Sequence, residues 1–134
     1  MQRCQAIYRR HLLFHEWRKK AKELLYQVGL MCRIWPKQMN AVEAELRHLG
    51  DYLGDAHDLF LLASSETARK LAHQPAEEMQ VLNGLAGRRR EELQIQALAL
   101  GEKLYAEKPT LFCKRWKHYW KRWRHRPEAL RPVH

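Results

Sequence analysis

The chain has 134 residues, with 25 Lys and Arg against 15 Asp and Glu, a formal charge of +10 and a pI near 9.9. That length suits one domain with its own core, and a composition rich in Ala, Leu, Glu, Arg and Lys, without runs of Val, Ile and Thr, excludes a sheet fold and predicts an all-α one. Such a surface favours a polyanion (nucleic acid, a phosphate polymer or an acidic membrane), the bland alternative being a basic protein with no particular ligand.

The first helix is expected from about Gln5 to Cys32 or Arg33. Phe14, Trp17, Ala21, Leu24, Val28 and Met31 recur at spacings of three and four, which makes a continuous apolar seam. Trp35-Pro36 ends this helix, because the residue before a proline is pushed out of the α region. Pro36 or Lys37 starts a second helix, with Met39, Val42, Leu46, Leu49 and Leu53 on one stripe. Gly50 and Gly54 weaken it, so a kink or change of partner is expected near Gly54, with Asp55 capping a continuation to Ala72. His73-Gln74-Pro75 reads as a loop. The next helix starts at Pro75 or Ala76, with Glu77 and Glu78 at its positive end and a seam of Met79, Leu82, Ala86, Leu93, Ala97, Leu100 and Leu104. Lys108-Pro109-Thr110 is a turn, and a last helix covers about Leu111 to Arg124. Four or five antiparallel helices with short connections make a helical bundle over residues 1–126, and Pro127 and Pro132 mark a frayed tail over 127–134.

The three cysteines, Cys4, Cys32 and Cys113, show no CxxC spacing. They read as ordinary thiols packed as small apolar groups, which argues against a disulfide frame or a zinc site. No apolar run approaches the roughly 20 residues of a membrane span, and no apolar stretch follows Met1-Gln2-Arg3-Cys4 as in a secretion signal. A cytoplasmic location is expected.

The first helix also carries a second stripe. His15, Arg18, Lys22 and Tyr26, with Lys19 beside them, lie about 100° round from the apolar seam. Cations so placed repel one another unless an anion lies across them. Arg offers a planar fork for phosphate oxygens, Lys a mobile point charge, and a bound phosphate favours the imidazolium of His15. The plain alternative is a solvated basic face.

Arg89, flanked by Arg88 and Arg90, falls where the seam of its helix calls for an apolar residue. A guanidinium there needs a bound anion or a carboxylate such as Asp51, Asp55 or Asp58. Arg47 and His48 occupy edge positions near Leu46 and Leu49. Asp51, Asp55 and Asp58 share a helix face if the helix continues through Gly54. With His57 they raise a divalent metal site or a phosphohydrolase of the HD type, but the further ligands that type needs are absent, and the aspartates read better as caps and partners for neighbouring cations. The run from Lys114 to Arg126 holds seven Lys or Arg and no acid, and Phe112, Trp116, Tyr119, Trp120 and Trp123 make its aromatic face. It reads as a core helix with a basic outer face, as an extension of a polyanion site, or as an amphipathic element on a membrane or nucleic acid.

Together these pieces resemble the CHAD (conserved histidine α-helical domain) family. The matching residues are His15-x-x-Arg18-Lys19-x-x-Lys22-x-x-x-Tyr26, then Leu46-Arg47-x-Leu49-x-x-x-Leu53-Gly54-Asp55-x-x-Asp58-x-x-x-Leu62, then Arg88-Arg89-Arg90-x-x-Leu93. Leu100-Gly101-x-x-Leu104-Tyr105 and Lys108-Pro109-x-x-Phe112 follow, in order, from about Tyr8 to Trp116. The resemblance implies a helical, non-enzymatic binder of inorganic polyphosphate, with His15, Arg18, Lys19 and Lys22 lining the groove, Arg47 and Arg89 contributing, and no cofactor or metal. It implies association with polyphosphate granules or polyphosphate-metabolising enzymes. The family's full domain has two similar bundles about a basic groove, and this chain resembles the second, so a homodimer is one way to rebuild the groove. Lys at positions 19 and 22, in place of Arg, keeps the charge and loses the bidentate fork. The alternative function is a nucleic-acid-binding module using the basic aromatic last helix.

Overall fold

The computed structural model describes residues 2–64 and 75–130. Among these, four α-helices follow one another, α1 (Gln2–Met31), α2 (Pro36–Ser64), α3 (Ala76–Leu104) and α4 (Pro109–Arg124), with a 3-10 turn at Glu128–Leu130. No described residue is in a strand, and the fold is the expected all-α helical bundle.

The punctuation follows the prolines. At the first turn the amides of Gln38 and Met39 donate to the Trp35 carbonyl, so Trp35 stands at the cap and Pro36, with no N–H to satisfy, opens α2. Before α4 the amides of Leu111 and Phe112 both donate to the Lys108 carbonyl, and Pro109 takes the corresponding place.

α2 is one continuous helix through Gly50 and Gly54, near which a kink or change of partner was expected, so Asp55 lies in the helix interior and does not cap a new helix. Leu46, Leu49, Leu53 and Ala56 stay buried on one stripe past both glycines, and that packing outweighs the weak helix propensity of glycine, about 1 kcal/mol each. The expected continuation to Ala72 and the loop at His73 and Gln74 lie outside the described residues, as do residues 131–134 of the expected tail.

α2 is the central helix, packed along its length by α1 and α3. The core joins Ala21 and Val28 of α1, Met39, Leu46, Leu49 and Leu53 of α2, Ala97 of α3 and Trp116 of α4. Phe14, Trp17, Leu24 and Met31, the remaining members of the α1 seam, pack around it. Met39, Leu46, Leu49 and Val28 are fully buried, each contributing about 1.5–3 kcal/mol over exposure. α1 and α3 meet where the Trp17 indole N–H donates to the Tyr105 hydroxyl at 3.2 Å. Gly101 makes that approach feasible, since a Cβ there would lie 2.8 Å from Cζ2 of the Trp17 ring.

Candidate functional site

Toward its N-terminus the buried face of α1 changes character. Below Ala21 the inward positions are filled by Arg18, His15 and His11, spaced by three and four. Opposite them α2 presents Gly54, His57 and Phe60, three residues apart. Gly54 leaves space for the Arg18 side chain, whose Nε lies 3.8 Å from where a Cβ would stand.

The rings form a column. His15 stacks on His57 at 4.7 Å between centroids, His57 on His11 at 5.4 Å, and His11 on Phe60 at 3.5 Å with an interplanar angle of 11°. From α3 the guanidinium of Arg90 lies 5.5 Å from the Phe60 ring centroid. One end of the column therefore meets Arg90 and the other meets Arg18. His11 retains only 9% of its exposure.

Burial lowers the pKa of His11 below the ordinary 6.5, and His57, His15 and Arg90 push it further the same way. His57 is likewise lowered, first by burial, then by His15 and Arg18, with Asp58 opposing. These two imidazoles are thus held neutral at pH 7 between permanent cations. Nδ1 of His15 and of His57 is buried without a protein hydrogen-bond partner among the described residues. Next to the column, a cavity of about 400 Å³ is lined by Arg3, Arg10, His11, Arg90, Glu91 and Gln94 among others. Arg10 reaches Glu91 at 3.9 Å, so three guanidiniums face one carboxylate.

Of the residues singled out in the sequence, His15 and Arg18 lie in this column. Lys19 and Lys22 lie on the exposed flank of α1, Lys19 paired with Glu16 at 3.2 Å. Arg47 is exposed and bonded to Glu43 at 2.7 Å. Glu43 also accepts from Cys32 Sγ at 3.1 Å, which places Arg47 toward the far end of α1.

Arg89 is not a seam residue. Its side chain keeps 55% exposure and pairs with Glu92 at 3.2 Å, not with an α2 aspartate. The inward stripe of α3 runs Ala86, Arg90, Leu93, Gln94 and Ala97, while Leu82 is exposed. Arg90 therefore holds the position expected of Arg89. His11 and Arg90 were not among the candidates, and His57 was weighed only beside the aspartates. The available signal for His11 was its place four residues before His15 and seven before Arg18. Asp51, Asp55 and Asp58 are exposed, and among the described residues no group of three or more His, Cys, Asp or Glu is arranged to hold a metal ion.

Residues 6–65 match the CHAD domain, a span that carries most of α1, all of α2, the three histidines of the column, Arg18 and Phe60, but not Arg90. No curated protein and no solved structure gives a match.

Proposed function

Taking as premise that the chain is a member of the CHAD family through residues 6–65, we propose that it binds inorganic polyphosphate without making or breaking a bond. The observation that carries this reading is the ring column with Arg18 and Arg90 at its ends and, within it, Nδ1 of His15 and His57 without a partner among the described residues. A phosphate chain passing along it would meet planar guanidinium forks at both ends and imidazoles that become donors on taking up a proton. His15 and Arg18 are the innermost contacts, and Lys19 and Lys22 continue the cationic ridge on α1. Arg47 and Arg89 act at the periphery, each already paired with a carboxylate on its own helix.

Affinity on this reading comes from many charge-assisted contacts and from counterion release, so it falls steeply with salt. A bare phosphate chain is thin enough to reach the column between helices, whereas a duplex is not. The proposal extends to polyphosphate granules or polyphosphate-metabolising enzymes as cytoplasmic partners, and to a homodimer that doubles the cationic surface. Among the described residues no helix is long and apolar enough to cross a membrane.

The test is binding of a fluorescently labelled medium-length polyphosphate, competed by duplex DNA and by orthophosphate, for the native chain and a His15→Ala/Arg18→Ala variant checked for helicity by circular dichroism. Preferential binding of polyphosphate that the folded variant loses is the expected result. Binding that the variant retains, or equal competition by duplex DNA, refutes the assignment.

A further inference from the structure

At the opposite end of the bundle a second cationic surface has a different chemistry. The turn between α1 and α2 projects Trp35, which retains 39% exposure, and α4 crosses beside it. Tyr119 meets Trp35 edge-on at 4.9 Å and 88°, and Trp116 anchors Tyr119 from beneath at 5.1 Å. One helical turn further, Trp123 completes an aromatic wall, and Arg126 lies 4.7 Å from its ring centroid. The result is an open cleft of about 490 Å³ lined by Trp35, Tyr119 and Trp123 on one side of the ledger of chemistry and His118, Arg122 and Arg126 on the other.

Packing accounts for Tyr119, which lies against the core, but not for the whole surface. A core helix buries its aromatics, and Trp116 does so, yet Trp35 and Trp120 stay exposed. A merely solvated basic face has no use for aromatic walls. α4 contains no Asp or Glu, and among the described residues no carboxylate lies within 4.0 Å of a Lys or Arg from Lys117 to Arg126. Arg124 instead lies over Trp120 at 5.0 Å, repeating the pairing of guanidinium and indole. The indole N–H of Trp123 also finds no acceptor among the described residues.

We propose that this cleft binds single-stranded nucleic acid, an unpaired base stacking on the indoles of Trp35 and Trp123 while Arg122, Arg126 and His118 hold the flanking phosphates. Bases in a duplex keep their faces stacked on one another and offer nothing to these rings, whereas every unpaired base presents a π-face. Polyphosphate has no base to place against the apolar wall. The cleft is separate from the ring column, since His15 stands about 24 Å of helix from the end of α1. The proposal is independent of polyphosphate binding and fails or stands separately.

The experiment uses the full chain and a fluorescein-labelled oligothymidylate of roughly 12 nucleotides, a length within the range of known single-strand sites. The comparison ligand is the same sugar-phosphate backbone without bases. The folded oligothymidylate complex should be tighter than the abasic one by about tenfold or more, the range expected for stacking of one or two bases. Arg122→Gln/Arg126→Gln and Trp123→Leu should each weaken it by about tenfold, and Trp123→Phe, which keeps a ring, should retain most of it. His15→Ala/Arg18→Ala should leave it unchanged. Equal affinity for the abasic backbone, indifference to the Trp123→Leu change, absence of binding, or loss through the His15/Arg18 variant alone each overturns the proposal.

Discussion

Acidification from pH 7.5 to 5.5 should weaken the ligand-free fold through the ring column. His11 and His57 both titrate below 6.5 in the folded chain, chiefly because they are buried, while in the unfolded chain they return to that value. Between the two values the unfolded chain binds more protons, so stability rises with pH. The contribution is complete above the unfolded pKa and is lost as pH falls below 6.5 toward the depressed folded values. The groups facing His11 are His15, His57 and Arg90, and those facing His57 are His15, Arg18 and Asp58. Only Asp58 opposes the depression, and it is exposed. Each histidine sets a limiting slope of about 1.4 kcal/mol per pH unit, so two approach but do not exceed about 2.7 kcal/mol per unit. For a chain of this size 1 kcal/mol corresponds to about 3–5 °C in Tm. Thermal melts followed by circular dichroism, in buffers of matched ionic strength, should show Tm falling by several degrees over this range. The His11→Gln variant, which cannot charge, should show a shallower slope. A flat Tm for the native chain, or an unchanged slope in His11→Gln, refutes the reasoning. If polyphosphate draws protons onto the column, the stabilisation it confers grows as pH falls, and calorimetry in buffers of different ionisation enthalpy should register proton uptake on binding.

Gly101→Ala should destabilise by about 1 kcal/mol, because the new Cβ collides with Trp17 at a cost of about 1–3 kcal/mol against a helix-propensity gain of about 1 kcal/mol, whereas Gly50→Ala, which meets nothing, should stabilise; urea melts that rank the two the other way contradict the packing at Trp17. Arg90→Ala should weaken polyphosphate binding more than Arg89→Ala, since Arg90 faces the column and Arg89 is held at the surface by Glu92; equal losses in a titration would mean that only total charge counts. Cys113 is exposed, while burial and the Glu43 carboxylate raise the Cys32 pKa, so a thiol reagent at pH 8 should label Cys113 before Cys32, and Glu43→Gln should speed labelling of Cys32.

The helices were legible because their signals are local. The α1 seam from Phe14 to Met31 and the proline at position 36 act through neighbours within one turn, and each falls where the sequence places it, whereas Pro109, expected in a turn before a helix from Leu111, is the first residue of α4, where its missing N–H costs nothing. The register of α3 was not legible for a physical reason. Ala86 and Leu93 belong equally to a stripe through Leu82 and Arg89 and to one through Arg90 and Ala97, both with spacings of three and four. Only contact with Phe60 of α2 selects Arg90. His11 was obscured in the same way: beside Arg9 and Arg10 it reads as one more polar residue, and its partners are His57 and Phe60, far along the chain. His15 and Arg18, by contrast, were found because their own helix carries the pattern.

The ring column also divides the bundle into halves that hold together by different means. In the C-terminal half of α1, Ala21 and Val28 press into the core, and the adjoining turn touches α4 through Trp35 and Tyr119. In the N-terminal half Ile7, Tyr8, Leu12 and Leu13 face solvent, and beyond Phe14 the inward positions are imidazoles beside guanidiniums that repel any added proton. Opening of the helix from that end costs fewer apolar contacts than opening of the whole molecule. Amide exchange along α1 should therefore be graded, slow around Val28 and faster toward His11. A polyanion bridging Arg18 and Arg90 would flatten that gradient by tying α1 and α3 together where apolar packing does not, so that ligand occupancy becomes readable as protection of backbone amides remote from any phosphate contact.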